Sequence, residues 1–532
     1  MYVTTVESTT VNVRISAPRI PSTQPPLDIS VTRGAPANVT LSSNISLIGT
    51  GRQDKGIFIS SDGDITVQCF SFIGYERSSG AYLALPTNVL SKKYMIATFC
   101  EINSCMFAVV GTENDTSVTI SIKLPPNETV QFEGTTYSNG DIITLTINRY
   151  EAVQISSSGS FTGTLIRATA DIAVFVGADY TSVRGRSGDH LVEQLQPLDS
   201  WGMDYMLIPF PDRLSFDLVM VTAQFEQTTV MYNNSQYVID EAGENIILKL
   251  MSDTPSRLSS DKRVLVMQLS TSVSSDFDDI YDNDYGDYSD PVYYDPCMLL
   301  VTPMEQWISR YFFVSPILLS QSKPVVLALA ANSDCTPLFK LMAIDTQISL
   351  TWIEISGTNI SVSYTTLEQE GPYTVKSVDN QSTCSPLGGY IYGPVQHSAW
   401  TMPIGQSLKG LPDKRDKFVF SSTEFPMSVR STSISTSSDS LGVTFTKLAS
   451  VERSSLQSLV TGVSPTRYSV CTCLCKVTRT LTDDSSTMGE LQKNLTVEKR
   501  TLSSRRRKKQ SAVDPRSVSK DMNDLWSVES EQ

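Results

Sequence analysis

The stretch PLDSWGMDY, residues 197–205, decides the fold because it has two relatives elsewhere in the chain. These are PTNVLSKKY at 86–94 and PMEQWISRY at 303–311, each running from a proline to a tyrosine eight places on. A proline suits a strand end, where its missing N–H is not needed. A tyrosine, with an apolar ring and a polar tip, suits a half-buried anchor on the next strand. We interpret the three stretches as one structural corner.

The flanks of these stretches match as well. A short β-run precedes each of them, namely DITV at 64–67, DIAV at 171–174 and RVLV at 263–266. Strand-like runs also follow them at similar distances, VVGTEN, MVTAQF and LALAAN. The sequence therefore predicts a degenerate threefold repeat of roughly 110 residues. Such a unit fits a β-sandwich or two blades of a propeller-like ring, and its period does not choose between them.

The fold class follows from the segments between the corners. Residues 56–382 contain successive runs such as DITVQCFSF, SVTISIKL and DIAVFVGAD, bounded by turn residues, and no apolar stripe of helical period. We predict an all-β body followed by a flexible C-terminal stalk. The predicted segments are an N-terminal extension (1–49), the β-repeat domain (50–411), a Ser/Thr-rich spacer (412–470), a cysteine cluster with a short helical stalk (471–502) and a disordered basic, serine-rich tail (503–532).

Charge and histidine content exclude several function classes. A formal net charge of −14 argues against a nucleic-acid partner. Two histidines, His190 and His397, leave little for acid–base chemistry near neutral pH, and no metalloprotease, nucleophile-elbow or phosphate-loop motif occurs. A carbohydrate-active hydrolase would need a carboxylate pair in a cleft, for which Asp189 and Glu193 are the candidates. We expect no catalytic residues and interpret His190 as a hydrogen-bonded structural residue.

The segment DFDDIYDNDYGDYSD, residues 276–290, is strongly acidic. A solvated acidic loop is the favoured interpretation, ahead of a calcium site and of sulfated tyrosines that contact a partner. Asp282, Asp284 and Asp287 are the candidate calcium ligands, although their spacing departs from that of an EF-hand loop. We expect no cofactor, and calcium at this segment is the alternative.

Cysteines and sequons indicate an oxidising compartment. Cys100 and Cys105 are close enough for a loop-closing disulfide, whereas CTCLC is a candidate for interchain bonds in a disulfide-linked oligomer. The cysteines of that cluster are Cys471, Cys473 and Cys475. The candidate glycosylation sites are Asn38, Asn44, Asn114, Asn127, Asn233, Asn359, Asn380 and Asn494.

The N-terminus and the hydropathy pattern complete the expectations for localisation. MYVTTVESTTVNVRIS contains neither the basic nor the apolar part of a signal peptide, and no apolar run reaches membrane-spanning length. We expect the natural chain to begin upstream and the protein to be secreted or on the cell surface.

Four ordered motifs carry a family resemblance. They are GAYLALPTNVLSKKYMIATF (80–99), DHLVEQLQPLDSWGMDY (189–205), DPCMLLVTPMEQW (295–307) and PLGGYIYGPVQHSAWTMPIG (386–405). Over about residues 50–410 the chain resembles the IgGFc-binding protein N-terminal domain family, in an invertebrate-type secreted or cell-surface form.

The resemblance implies a non-catalytic extracellular module that recognises a protein or glycan partner, in cell adhesion, mucosal or innate-immune settings. It brings no catalytic or ligand residues to positions of this sequence. The cysteine-dense repeats that follow the domain in the vertebrate protein are absent here, so immunoglobulin binding does not follow from the resemblance. A structural mucus or matrix component that oligomerises through disulfides is the alternative.

Overall fold

A computed structural model describes residues 1–408 and the strand Arg467–Cys471, except for residues 21–25, 74–77, 186, 214, 273–294, 317–323, 379–383, 385 and 396–397. The described residues belong to one compact unit, Met1–Val477. The predictions for 412–470, 471–502 and 503–532 lie outside them, apart from that one strand. The described part is built almost entirely of β-strands, which confirms the predicted all-β class.

The N-terminal strands are β1 (Tyr2–Thr5), β2 (Val11–Ser16), β3 (Leu27–Val31), β4 (Ala37–Asn38), β5 (Gly51–Gln53), β6 (Ile57–Ser61), β7 (Ile65–Ile73) and β8 (Ser78–Leu83). The first unit contains β9 (Ser91–Met95), β10 (Cys105–Gly111), β11 (Thr116–Ser121), β12 (Thr129–Phe132), β13 (Thr135–Ser138), β14 (Ile142–Ile147), β15 (Ala152–Ser157), β16 (Leu165–Ser182) and β17 (Gly188–Gln194). The second unit contains β18 (Gly202–Leu207), β19 (Phe216–Ala223), β20 (Thr228–Tyr232), β21 (Ser235–Ile239), β22 (Asn245–Met251), β23 (Ser256–Ser270) and β24 (Met298–Leu300).

The third unit contains β25 (Arg310–Ser315), β26 (Val325–Asn332), β27 (Phe339–Ala343), β28 (Thr346–Ile348), β29 (Ile353–Glu354), β30 (Ile360–Leu367), β31 (Gly371–Ser377), β32 (Gly388–Val395) and β33 (Ser398–Pro403). The last described strand is β34 (Arg467–Cys471), which overlaps the end of the predicted spacer and pairs with β6. The 3-10 turns are Ser43–Ile45, Thr87–Val89, Leu198–Ser200, Met304–Gln306 and Ser333–Leu338.

The first two units share one strand-pairing scheme. The long strand β16 pairs with β9, β10, β11 and β17, and the long strand β23 pairs with β18, β19, β20 and β24 in the same order. In the third unit, two strands make the pairings that one long strand makes in the other units: β31 pairs with β25 and β27, and β32 pairs with β26 and β33. The threefold repeat of units of roughly 110 residues stays a prediction. The structure shows that the strand pairings named here correspond between the units.

The three proline-to-tyrosine stretches adopt the same corner. Each proline starts a single 3-10 turn, and the tyrosine lies on the strand that follows. Tyr205 Oη accepts a hydrogen bond from Gly202 N at 3.1 Å and donates to Val264 O at 2.6 Å. Tyr94 and Tyr311 make the equivalent two bonds, also to a backbone N–H three residues earlier and to a distant carbonyl.

The predicted half-buried position of these tyrosines is wrong, because all three are fully enclosed. A buried tyrosine retains its hydroxyl at little cost when that group is hydrogen-bonded on both sides. Burial also raises the pKa of each of the three hydroxyls, which keeps them protonated donors.

Hydrophobic cores connect successive parts of the described chain. One core joins the first unit to the second and includes Trp201, and another joins the second to the third and includes Trp307. A further core joins the N-terminal strands to the first unit, around Phe175. The last joins the third unit to β8 of the N-terminal part, where Ala81 lies among its residues. The units are therefore held together by packed apolar side chains.

Candidate interaction surface

The candidate hydrolase pair is buried. Asp189 and Glu193 both lie on β17 and are almost completely enclosed. Burial raises the pKa of both carboxyls well above the ordinary range, because the charged form loses its hydration. Glu193 Oε1 accepts a hydrogen bond from Leu300 N at 3.1 Å and so ties β17 to β24. A hydrolase would need both carboxyls at the surface of a cleft, whereas these two are enclosed in the protein interior.

Asp189 is an acceptor for three strands at once. Its Oδ1 accepts from Ser78 Oγ, from Ser79 N at 2.8 Å and from His190 N at 2.7 Å. Its Oδ2 accepts from Ser398 Oγ at 2.6 Å and from Ala399 N at 3.3 Å. These donors come from β8, β17 and β33, which belong to the N-terminal part, the first unit and the third unit. The carboxyl is therefore a structural link between three parts of the chain.

His190 has a structural environment, as the sequence suggested. The residue is buried on β17, and its Nδ1 lies 3.0 Å from Ala178 O on β16. His397 lies outside the described residues.

The metal prediction falls outside the described residues, since Asp282, Asp284 and Asp287 all belong to 273–294. Within the described ranges, no group of three or more histidine, cysteine, aspartate or glutamate side chains is arranged to hold a metal ion. Calcium binding by the acidic segment stays a prediction.

Two disulfides close loops of very different size. Cys100 and Cys105 are joined, as the short spacing predicted, across a sequence separation of 5. Cys335 and Cys384 are joined across a separation of 49, which the sequence did not reveal because no spacing rule connects them. Cys69 and Cys297 are buried and belong to neither bridge. Of the CTCLC cluster, Cys471 ends β34, whereas Cys473 and Cys475 lie outside the described residues.

The described sequon asparagines all lie at the surface. Asn233 and Asn234 both have positive φ, 47° and 61°, and form the two-residue turn of the hairpin β20–β21. The other exposed sequon asparagines are Asn38, Asn44, Asn114, Asn127 and Asn359. Asn380 and Asn494 lie outside the described residues. Exposure leaves the six described sites accessible to a glycosyltransferase, and glycosylation itself stays a prediction.

A groove with a volume of about 740 Å³ lies beside that hairpin, between the second and third units. Arg257 contributes to it from β23 and is paired with Asp204 at 2.7 Å. Two apolar side chains, Met231 and Ile353, are 42% and 60% exposed at its walls. Exposed apolar groups, amides and hydroxyls thus lie side by side in this groove. Sequence reasoning missed this groove because its walls come from β20, β23 and β29, far apart in the chain.

No helix among the described residues has the length and apolarity needed to cross a membrane.

Comparison with known proteins places the chain in a family. The sequence model described as IgGFc binding protein matches residues 80–393, which is more than half of the chain. The chain belongs to this family. It is 25% identical over 291 residues to the human protein named IgGFc-binding protein, a match that covers 53% of this chain and 5% of that protein. The chain thus corresponds to a small part of its relative.

Among solved structures, the viral chemokine binding protein R17 of rodent gammaherpesvirus Peru is 8% identical, with 64% of this chain and 97% of that chain covered. Its TM-score of 0.13 is too low to support an argument about fold or function.

Proposed function

We propose that this chain is an extracellular binding module that recognises a partner protein and performs no catalysis. The observation that carries the proposal is the family match over residues 80–393, because a relative in that family is named for binding a protein, the Fc part of IgG. The partner of this chain is a separate question, since only 5% of the human relative is covered.

The chemistry of the described residues supports an extracellular setting. Disulfides such as Cys335–Cys384 form and persist mainly in oxidising compartments. Six surface sequons are compatible with passage through the secretory pathway. The mucosal or innate-immune context and a role in adhesion are part of the same proposal and rest on the family alone.

The test is a binding assay with the full chain secreted from cultured cells. The chain is displayed on streptavidin to raise its avidity and is offered human IgG Fc, a panel of secreted proteins and a glycan array. We expect saturable binding to at least one protein, which heat-denatured chain does not show. Binding to glycans alone would overturn the assignment of a protein partner. Cleavage of any offered glycan would overturn the non-catalytic assignment.

A further inference from the structure

Among the described residues, one sheet edge in the second unit lacks a strand that both other units have. In the first unit, β5 pairs with β15, placing Gly51 opposite Gln154. In the third unit, β29 pairs with β30, placing Ile353 opposite Val362. The corresponding strand of the second unit is β22, and in the described part of the chain its only strand partner is β19.

The correspondence between these strands can be fixed residue by residue. Gly111 N donates to Glu151 O at 3.0 Å in the first unit, and Ala223 N donates to Glu244 O at 2.9 Å in the second. The bonds from Tyr150 N to Gly111 O and from Gly243 N to Ala223 O, both 2.8 Å, match as well.

Counting onward from those bonds, Asn245 corresponds to Ala152 and Ile247 to Gln154. In the third unit, Ser333 N donates to Asn359 O at 3.1 Å, so Ile360 and Val362 occupy the same two positions. The strands β5 and β29 therefore cover equivalent residues.

Burial differs sharply between these equivalent positions. Gln154 and Val362 are 2% and 1% exposed, whereas Ile247 is 43% exposed. The carbonyl of Glu244 points toward β19, where it accepts from Ala223 N. Because the direction of the backbone N–H and C=O groups alternates from residue to residue along a strand, those of Asn245 and Ile247 point away from β19. An edge of unpaired backbone groups beside exposed apolar side chains is a template for pairing with another strand.

The open edge is short and has definite ends. Gly243 marks one end, where a Cβ atom would lie 2.7 Å from Gly163 Cα of the first unit. Lys249 marks the other end, because its carbonyl accepts a hydrogen bond from Tyr232 Oη at 2.8 Å. The side chain of Lys249 is exposed, with its Nζ 4.0 Å from the centre of the Phe216 ring. Three to four residues of an extended chain fit between these limits.

We propose that the edge of β22 over residues 245–248 is a binding site for an extended segment of a partner protein, which adds to the sheet as an antiparallel strand. The orientation follows from β5 and β29, which are both antiparallel to the strands they cover. The side chains that face the added strand then specify the ligand chemistry: an apolar residue opposite Ile247, a polar residue opposite Asn245, and an acidic residue at the end of the segment, next to the exposed ammonium group of Lys249. The inference deepens the proposed function and rests on it only for the origin of the segment.

Hydrogen exchange of the full chain tests whether the edge is open. We expect the amide of Ile247 to exchange at least about 100-fold faster than those of Gln154 and Val362, since no strand among the described residues offers it an acceptor. Equal protection at all three amides would overturn the proposal. Sedimentation at several concentrations would then show whether a second copy or the chain itself covers the edge.

Selection from a phage-displayed library of random linear peptides tests whether the edge binds strands. We expect selected peptides to protect Ile247 from exchange and to lose at least about 10-fold in affinity in Ile247→Pro, which removes an outward N–H. The matched control is Val238→Pro on β21, another edge strand of the same sheet, where Val238 is 46% exposed. Asn245→Pro serves in place of Ile247→Pro if that variant fails to fold.

The inference would be overturned by peptides that bind Ile247→Pro and Asn245→Pro as tightly as wild type, or by a library that yields no binding peptide. The two proposals fail separately. A partner protein whose binding is unaffected by Ile247→Pro leaves the proposed function intact and removes the edge site. Peptide binding at the edge, with no protein partner found in the binding panel, supports the edge site and removes the proposed function.

Discussion

At the scale of single residues, the proline-to-tyrosine corner explains why the same nine-residue pattern occurs three times. The tyrosine hydroxyl pairs with the N–H of its own turn and with a carbonyl on a distant strand, so one side chain fixes both the turn and the strand that follows. The pattern could be read from the sequence because its spacing is local. The distant acceptors, Val264 for Tyr205 and Leu387 for Tyr311, could not, because nothing local specifies them.

Replacing Tyr205 with phenylalanine should destabilise the protein by about 1–3 kcal/mol. The change leaves Gly202 N and Val264 O without the hydroxyl in a fully buried site. Chemical denaturation of the full chain measures the effect. Tyr137→Phe is the control, since that ring is partly exposed, and it should change stability by less than about 0.5 kcal/mol. Equal effects of the two changes would contradict the structural role of the corner.

Asp189→Asn should be strongly destabilising, by roughly 2–4 kcal/mol. Both oxygens of a carboxyl group can accept hydrogen bonds, whereas the amide nitrogen of asparagine cannot, so the backbone N–H groups on one side, Ser79 and His190 or Ala399, would lose their acceptor. The melting temperature and the denaturation midpoint measure the loss. A variant as stable as wild type would show that this buried acceptor does not link the three strands.

At the scale of elements, individual strands were predictable and their neighbours were not. The runs of valine, isoleucine and threonine became β7, β10, β11 and β16 as expected. The pairing of β5 with β15 and of β29 with β30 was invisible, because strands of three and two residues carry too little pattern. The groove and the open edge depend on such pairings, so the candidate surface could not be found from the sequence.

The two disulfides should differ in their contribution to stability. In the chain-entropy treatment, a bridge closing about 50 residues restricts the unfolded chain more than one closing about 5, by roughly 4 against 2 kcal/mol. Replacing Cys335 and Cys384 with serine should therefore cost more than replacing Cys100 and Cys105. Denaturation of the two double variants makes the comparison. A larger loss for the short loop would contradict this ranking.

At the scale of the whole molecule, the buried carboxyls make stability depend on pH. Burial raises the pKa of Asp295 to about 6, with Arg213 acting in the opposite direction. Because the folded pKa lies above the unfolded value of about 4, the protonated form favours the fold. This contribution is fully present below about pH 4 and is lost as the pH rises through 6.

Asp295→Asn should accordingly flatten the pH profile. Wild type should lose on the order of 2 to 3 kcal/mol more than the variant between pH 4 and pH 7. Glu193 and Asp189 act in the same direction and remain in both proteins. Because the charge of Asp295 also raises the pKa of Asp189, the difference between the two profiles measures Asp295 together with that coupling. Parallel profiles would contradict the assigned burial.

The extracellular origin of the chain is the claim on which the proposed function rests, and one measurement tests it most directly. The chain is expressed behind a heterologous signal peptide, and the secreted product is mapped by mass spectrometry for cysteine pairing and glycan occupancy. The account predicts Cys100–Cys105 and Cys335–Cys384 bridges together with occupied surface sequons, Asn233 among them. Retention of a misfolded product in cells, beside a soluble cytosolic form with free thiols at these four cysteines, would contradict it.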